Sequence, residues 1–273
     1  MRYETVDLKT QYSFVEGGTL KVICTESPFG GGRKWVRPMV IVVPGGAYWG
    51  VARRESEPVA AEFLAKGYHV AILNYLCREQ GVKYPEQLFE LGAAVDYVIQ
   101  NAKQLAVNPK EIFIVGFSAG GHLVADFSNE YPTLAKRSKA DLSLTVKAVG
   151  LSYPVIDDHA ESFDNLLFGY DKEEKDKLRA FLKQSSRVTK NTPPTFIWTT
   201  AADQIVPAQN TLRYALALAD HGVPYECHIY PWGGHGMSNG SLEINENAQA
   251  ATVLSAWTRD MARFFRSFCK EPF

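Results

Sequence analysis

Residues 111–126, EIFIVGFSAGGHLVAD, constrain the fold more than any other stretch. Ile112, Phe113, Ile114 and Val115 form an apolar run without a polar break, the pattern of a strand buried on both faces. Gly116-Phe117-Ser118-Ala119-Gly120 follows at once, and a helical pattern starts at Gly121. A chain that turns this sharply from strand to helix forces the central residue into a strained backbone conformation. The residues two before and two after it crowd one another, so both must lack a side chain. Ser118 then stands at the C-terminal edge of a sheet. The Ala119 amide sits at a helix N-terminus, where it can face a developing oxyanion.

The same spacing recurs at Gly236-Met237-Ser238-Asn239-Gly240. There the nearest upstream strand, residues 226–230, ends too early, and Pro231, Gly233 and Gly234 intervene. No strand feeds that turn, so Ser118 is the expected nucleophile and Ser238 a decoy.

Further apolar runs at residues 38–43, 68–73, 146–153, 194–200 and 225–230 alternate with helical spacing at 55–66, 85–105, 207–222 and 245–268. Two earlier strands, near residues 3–8 and 20–25, have no helix between them. That order predicts an α/β architecture: a mostly parallel central sheet, helices on both faces and an antiparallel N-terminal edge. Residues 27–33, SPFGGGR, have the composition of an exposed loop. Residues 155–192 combine Asp157-Asp158-His159, an aromatic and leucine cluster and a charged helix. They read as a small lid-like insertion, with a surface loop and helix packed on the sheet as the competing reading. No linker divides residues 1–273, so one domain is expected.

A net charge of −1 argues against nucleic acid or an anionic membrane as the main partner. No stretch approaches a membrane span, and the first residues, MRYETVDLKTQYSF, lack the apolar core of a signal peptide. Cys24, Cys77, Cys227 and Cys269 are scattered without a C-x-x-C pair, as expected of reduced thiols in a cytoplasmic protein. A homo-oligomer is compatible with the sequence.

A serine hydroxyl needs a base within hydrogen-bond reach, and that base needs a third group to orient it. For a serine on such an elbow the acid and then the histidine come from later strand ends. Asp203 follows the strand at 194–200, and His235 follows the last strand within Trp232-Gly233-Gly234-His235-Gly236. Asp157 and Asp158 are rival acids after the preceding strand. His228 lies within a strand, and His122 lies on the elbow helix as a packing group. His221, His228 and His235 recur every seventh residue but fall on a helix end, a strand and a loop, so no metal site is expected. The glycine-rich loop 44–50, PGGAYWG, would complete an oxyanion hole with Gly45, Gly46 and the Ala119 amide. Tyr48, Trp49, Phe117 and Trp232 are candidate walls of the substrate pocket, with Tyr153, Phe163 and Phe168 behind them; aromatic rings are equally at home in a core.

Together, VVPGGAY with the downstream ESEPVA, VGFSAGGHL, TPPTF leading to TAAD and Val206-Pro207, and PWGGHG resemble the α/β-hydrolase esterase/lipase group that includes small acetyl and acetylxylan esterases. The resemblance spans nearly the whole chain. It implies the α/β-hydrolase fold and cofactor-free hydrolysis of small, short-chain carboxylic esters, acetylated sugars among them. Pro44 stands where many relatives carry histidine, which leaves backbone donors intact but alters the acyl side. Two alternatives remain: an arylformamidase-like amide hydrolase, because Gly45-Gly46-Ala47-Tyr48-Trp49 echoes the H-G-G-x-W loop of those enzymes, and a lipase-like esterase of longer chains.

Overall fold

The computed structural model describes residues 1–27 and 35–270. Most of the expected 27–33 loop lies outside the described residues. Among the described residues eight strands form one sheet in the order β1-β2-β4-β3-β5-β6-β7-β8. They are β1 (Arg2–Asp7), β2 (Thr19–Cys24), β3 (Arg37–Val43), β4 (His69–Asn74), β5 (Val107–Phe117), β6 (Ala148–Ser152), β7 (Thr195–Thr200) and β8 (Tyr225–Tyr230). β1 pairs antiparallel with β2, and β2 antiparallel with β4. Every later pairing is parallel. This is the α/β-hydrolase architecture expected from the sequence, antiparallel edge included.

The parallel strands are buried on both faces, and their side chains divide by parity. Ile41, Val43, Ile112 and Ile114 join one apolar cluster with Leu88, Leu91 and Val95 of the helix Glu86–Gln100. Val40, Val42, Phe113, Val115 and Phe117 join another, with Phe63, Trp198, Trp257 and Phe265. The second cluster is a stack of rings: Phe113 lies on Phe265 at 4.6 Å and Trp198 on Trp257 at 5.2 Å.

Several helices are shorter than their periodicity suggests. The expected 85–105 helix breaks at Asn101, and the C-terminal one divides into Ala248–Leu254 and Trp257–Arg266. The elbow helix runs Ser118–Ser138. Residues 155–192 form the helices Ala160–Leu166 and Lys172–Phe181 and a short turn at Gln184–Arg187. Val155, Ile156, Phe163, Leu166, Leu167 and Leu182 anchor this segment in the first cluster. Among the described residues no helix is long and apolar enough to cross a membrane.

One core carboxyl is titratable near neutrality. Glu90 is fully buried on the helix Glu86–Gln100, where its Oε2 accepts from the Leu76 amide at 2.8 Å. Burial, with the Glu86 carboxyl alongside, pushes its pKa up to about 8. The folded chain therefore keeps a proton that the unfolded chain releases near the ordinary carboxyl range. The stability this confers is complete below that range and is lost as pH rises to about 8. Thermal melts of Glu90→Gln, which stays neutral, should gain on the parent by several degrees as pH rises across this interval and hold a constant difference above it. Parallel curves would mean that Glu90 is ionised throughout.

Candidate active site

β5 ends at Phe117, and Ser118 follows with φ +51°, the left-handed conformation demanded of an elbow. Two glycines make the turn feasible. A Cβ on Gly116 would stand 2.4 Å from the Gly120 carbonyl oxygen, and one on Gly120 would stand 2.3 Å from the carbonyls of Val43 and Pro44. The first turn of the elbow helix therefore rests directly on the end of β3.

The structure brings Ser118, His235 and Asp203 together. Ser118 Oγ lies 2.7 Å from His235 Nε2, and His235 Nδ1 lies 2.7 Å from Asp203 Oδ2. Nδ1 faces a carboxylate and so carries the ring proton; Nε2 is left to accept from the serine hydroxyl. Asp203 Oδ1 accepts from the amides of Ile205 and Val206 at 3.0 and 2.9 Å, which fixes the carboxylate plane. The rival acids are elsewhere: Asp157 is taken up by the Ser185 amide and hydroxyl at 3.0 and 2.8 Å, and Asp158 is exposed. His228 is held by Glu226 and stacks on Phe196. The decoy Ser238 is buried and donates to the Arg54 carbonyl. Among the described residues no group of three or more His, Cys, Asp or Glu could hold a metal ion.

The oxyanion loop corrects one expectation. The Gly45 amide donates to Glu55 Oε2 at 2.7 Å, so it is not free to meet an oxyanion. Gly45 matters for space instead: a Cβ there would stand 2.7 Å from the Phe117 carbonyl and 2.8 Å from Ser118 Cβ. The amides of Gly46, Ala47 and Ala119 donate to no acceptor among the described residues. These three amides, from the loop after β3 and the start of the elbow helix, are left free to donate, and Ala47 is one that the sequence reading missed.

Two of the proposed pocket rings are core residues. Phe117 is in phase with Phe113 and Val115 on β5, so alternation carries it to the aromatic cluster, between Tyr153 and Trp257. Tyr48 is 2% exposed and donates to His122 Nδ1 at 2.8 Å. His122 Nε2 lies 3.0 Å from the Leu182 carbonyl and must carry the proton, which leaves Nδ1 as the acceptor. Burial holds the His122 pKa below the usual imidazole range, consistent with this neutral tautomer. Tyr48 thus pins the oxyanion loop to the elbow helix one turn beyond Ser118. Trp49 and Trp232 remain exposed, at 53% and 46%. Trp49 is set on the Arg78 guanidinium at 5.5 Å, and Arg78 is fixed by Asn165, which also donates to the Ala47 carbonyl.

The family model described as BD-FAE matches residues 31–218, more than half of the chain. The chain belongs to the BD-FAE family. This BD-FAE chain is similar in structure to the acetyl ester-xyloside bifunctional hydrolase of Caldicellulosiruptor lactoaceticus, with 30% identity, a TM-score of 0.81, and coverage of 97% of this chain and 96% of that one. It is 31% identical over 210 residues to endo-1,4-beta-xylanase B of Butyrivibrio fibrisolvens, covering 74% of this chain and 33% of that protein. It is 27% identical over 229 residues to the acetylxylan esterase of Xylanibacter ruminicola, covering 81% of this chain and 45% of that protein. The BD-FAE chain thus spans less than half the length of these two curated relatives.

Tyr48→Phe removes one hydroxyl and leaves His122 Nδ1 buried without a donor, at a cost of about 1–3 kcal/mol. Its melting temperature should fall by several degrees, and turnover should fall with it as the loop loosens. An unchanged melt and unchanged turnover would deny the pin its role.

Proposed function

We propose that this protein is a serine carboxylesterase of short-chain esters, acetylated sugars above all, acting through an acyl-enzyme. The observation that carries the reading is the unbroken hydrogen-bond chain from Ser118 Oγ through His235 to Asp203 at the C-terminal edge of the sheet. In acylation His235 Nε2 takes the proton of Ser118 as Oγ attacks the ester carbonyl. Asp203 keeps the ring oriented and favours the imidazolium. The amides of Gly46, Ala47 and Ala119 receive the oxyanion; Ala119 does so from the N-terminus of the elbow helix, where the helix dipole adds to the field. His235 then returns the proton to the leaving alcohol. In deacylation it activates water, which releases the acid.

The sugar side of the proposal draws on the acetyl esters and xylan named for the relatives, and on two rings. Trp49 closes the oxyanion loop and Trp232 precedes the histidine, each about half exposed. A rigid exposed ring beside the reacting carbon offers a face on which a pyranose of the leaving alcohol can stack. Of the candidate pocket rings Tyr48, Trp49 and Phe117, only Trp49 reaches solvent, so the acetyl preference rests on the relatives.

A fluorophosphonate probe should label Ser118 and leave Ser238 unmodified. Ser118→Ala should lose turnover of p-nitrophenyl acetate by on the order of a million-fold. Asp203→Asn should lose about ten-thousand-fold, far more than Asp157→Asn. Labelling at Ser238, or a larger loss at Asp157, would refute the assignment.

Trp49→Ala should raise KM several-fold for acetylated xylo-oligosaccharides while leaving p-nitrophenyl acetate nearly unchanged. Equal effects on both substrates would remove the sugar from the proposal. Across p-nitrophenyl esters from acetate to dodecanoate, kcat/KM should drop between butyrate and octanoate; a flat or rising series favours the lipase-like alternative. Faster turnover of N-formylkynurenine than of any ester favours the arylformamidase one.

A further inference from the structure

Glu55 ends the short turn Arg53–Glu55 that follows the oxyanion loop, and it is 2% exposed. A carboxylate this deep is costly unless its oxygens are satisfied. No ion pair holds it among the described residues. Its Oε2 accepts from the Gly45 amide at 2.7 Å and its Oε1 from the Tyr153 hydroxyl at 2.8 Å. The direction of the second bond is settled by a third. The Tyr153 oxygen itself accepts from the Ser238 amide at 2.9 Å, so its proton goes to Glu55.

These bonds join three segments that meet at the site. Gly45 opens the oxyanion loop. Tyr153 follows β6, with its ring edge-on to His235 at 5.1 Å between centroids. Ser238 lies on the histidine loop, three residues past His235. A Cβ on Gly45 would stand 2.8 Å from Ser118 Cβ and 2.9 Å from Glu55 Oε2, so carboxylate and nucleophile face one another across that glycine. The charged and titratable groups around Glu55 are Arg54 on its own turn, Tyr75 after β4, Tyr153 after β6 and His235 after β8.

We propose that Glu55 is a positioning residue, a buried carboxylate that holds the oxyanion loop and the histidine loop in register and favours the imidazolium form of His235. It touches neither substrate nor reacting atoms. By fixing the Gly45 peptide it aims the next two amides into the oxyanion hole. Through Tyr153 it fixes the loop that carries His235. Its negative charge adds to that of Asp203 when the proton of Ser118 moves to the ring. Burial holds the Glu55 pKa above the usual carboxyl range, while the two donated hydrogen bonds and the nearby charges of Arg54 and His235 act in the other direction. The proposal rests on the serine-esterase reading above.

Glu55→Gln keeps the shape but removes the charge and places an amide NH2 against the Tyr153 hydroxyl. Tyr153→Phe keeps the charge and cuts the link to the histidine loop. With p-nitrophenyl acetate, both should lower kcat about tenfold or more with little change in KM; the ceiling is the hundredfold or greater loss of an oxyanion donor. The double variant should lose less than the product of the two single losses, because both act through one bond. The acidic limb of the kcat/KM profile should move to lower pH in Glu55→Gln and stay in place in Tyr153→Phe. A Glu55→Gln enzyme with parental kcat, or with an unmoved acidic limb, overturns the proposal, as does full multiplicativity. If Glu55→Gln does not fold, parental kcat in Tyr153→Phe overturns it. A parent that hydrolyses no ester, or a Ser118→Ala variant that still does, defeats the esterase reading instead, so the two failures are distinguishable.

Discussion

The first turn of the elbow helix lies against the end of β3 with no room for a side chain. A Cβ at Gly120 would come within 2.3 Å of two backbone carbonyls, those of Val43 and Pro44. That backbone-to-backbone contact sets the rest of the site. It brings the start of the elbow helix against the loop that carries Gly46 and Ala47, because β3 and β5 are neighbours in the sheet, with Val43 opposite Gly116. The sheet then brings the remaining groups to the same edge: β7, two parallel neighbours beyond β5, leads into Asp203, and β8, the next, into His235. The antiparallel β1 and β2 extend the opposite edge, away from the chemistry.

Hydrophobic burial makes the sheet rigid, but it does not orient loops at its edge. Buried polar groups do. Tyr48 and His122 clamp the oxyanion loop from one face, and Glu55 clamps it from the other. The two clamps fall in different packing clusters: Tyr48 belongs to that of the helix Glu86–Gln100, while Tyr153, the partner of Glu55, belongs to the aromatic stack. Beyond His122 the polar network continues through the Leu182 carbonyl, which accepts from both His122 Nε2 and Gln184 Nε2, to Gln184 Oε1, which accepts from Asn129 and from Arg187; Arg187 also bridges Asp126 and Glu130. A group of this kind costs more when half satisfied than when absent, so the loop geometry and the folded core depend on one another.

The strand order, the antiparallel edge and the positions of Ser118, Asp203 and His235 were legible because each follows from a local pattern. Apolar runs mark buried strands, and the residues that end them arrive at one sheet edge. What was not legible depends on which way a side chain or amide turns. Phe117 adjoins the nucleophile in sequence, yet strand parity takes it to the opposite side. Tyr48 reads as a pocket ring until His122, seventy-four residues later, is seen to hold its hydroxyl. Gly45 reads as an oxyanion donor until Glu55 takes its amide. Glu55 opens the ESEPVA stretch that shares in the resemblance, yet from sequence alone it reads more simply as a first-turn carboxylate just before a helix.

Backbone strain shows why these buried bonds are needed. Among the described residues seven other than glycine have positive φ: Ala47, Tyr48, Ala106, Ser118, Lys139, Tyr153 and Ser238. Ala106 and Lys139 are left-handed helix ends, an ordinary use of that conformation. The other five surround the active site. At about 1–3 kcal/mol each, their strain is comparable with the roughly 5–15 kcal/mol that separates a folded domain from its unfolded chain. Each is also tied by a bond described above or by one beside it. Asn165 holds the Ala47 carbonyl, His122 holds Tyr48, and Glu55 holds Tyr153. The Tyr153 hydroxyl and the Arg54 carbonyl hold Ser238, and the Val155 amide donates to the Ser118 carbonyl at 3.1 Å. The left-handed turns aim the groups of the candidate site, and the buried polar groups keep those turns from relaxing. A residue such as Glu55 can therefore govern the chemistry without touching the substrate.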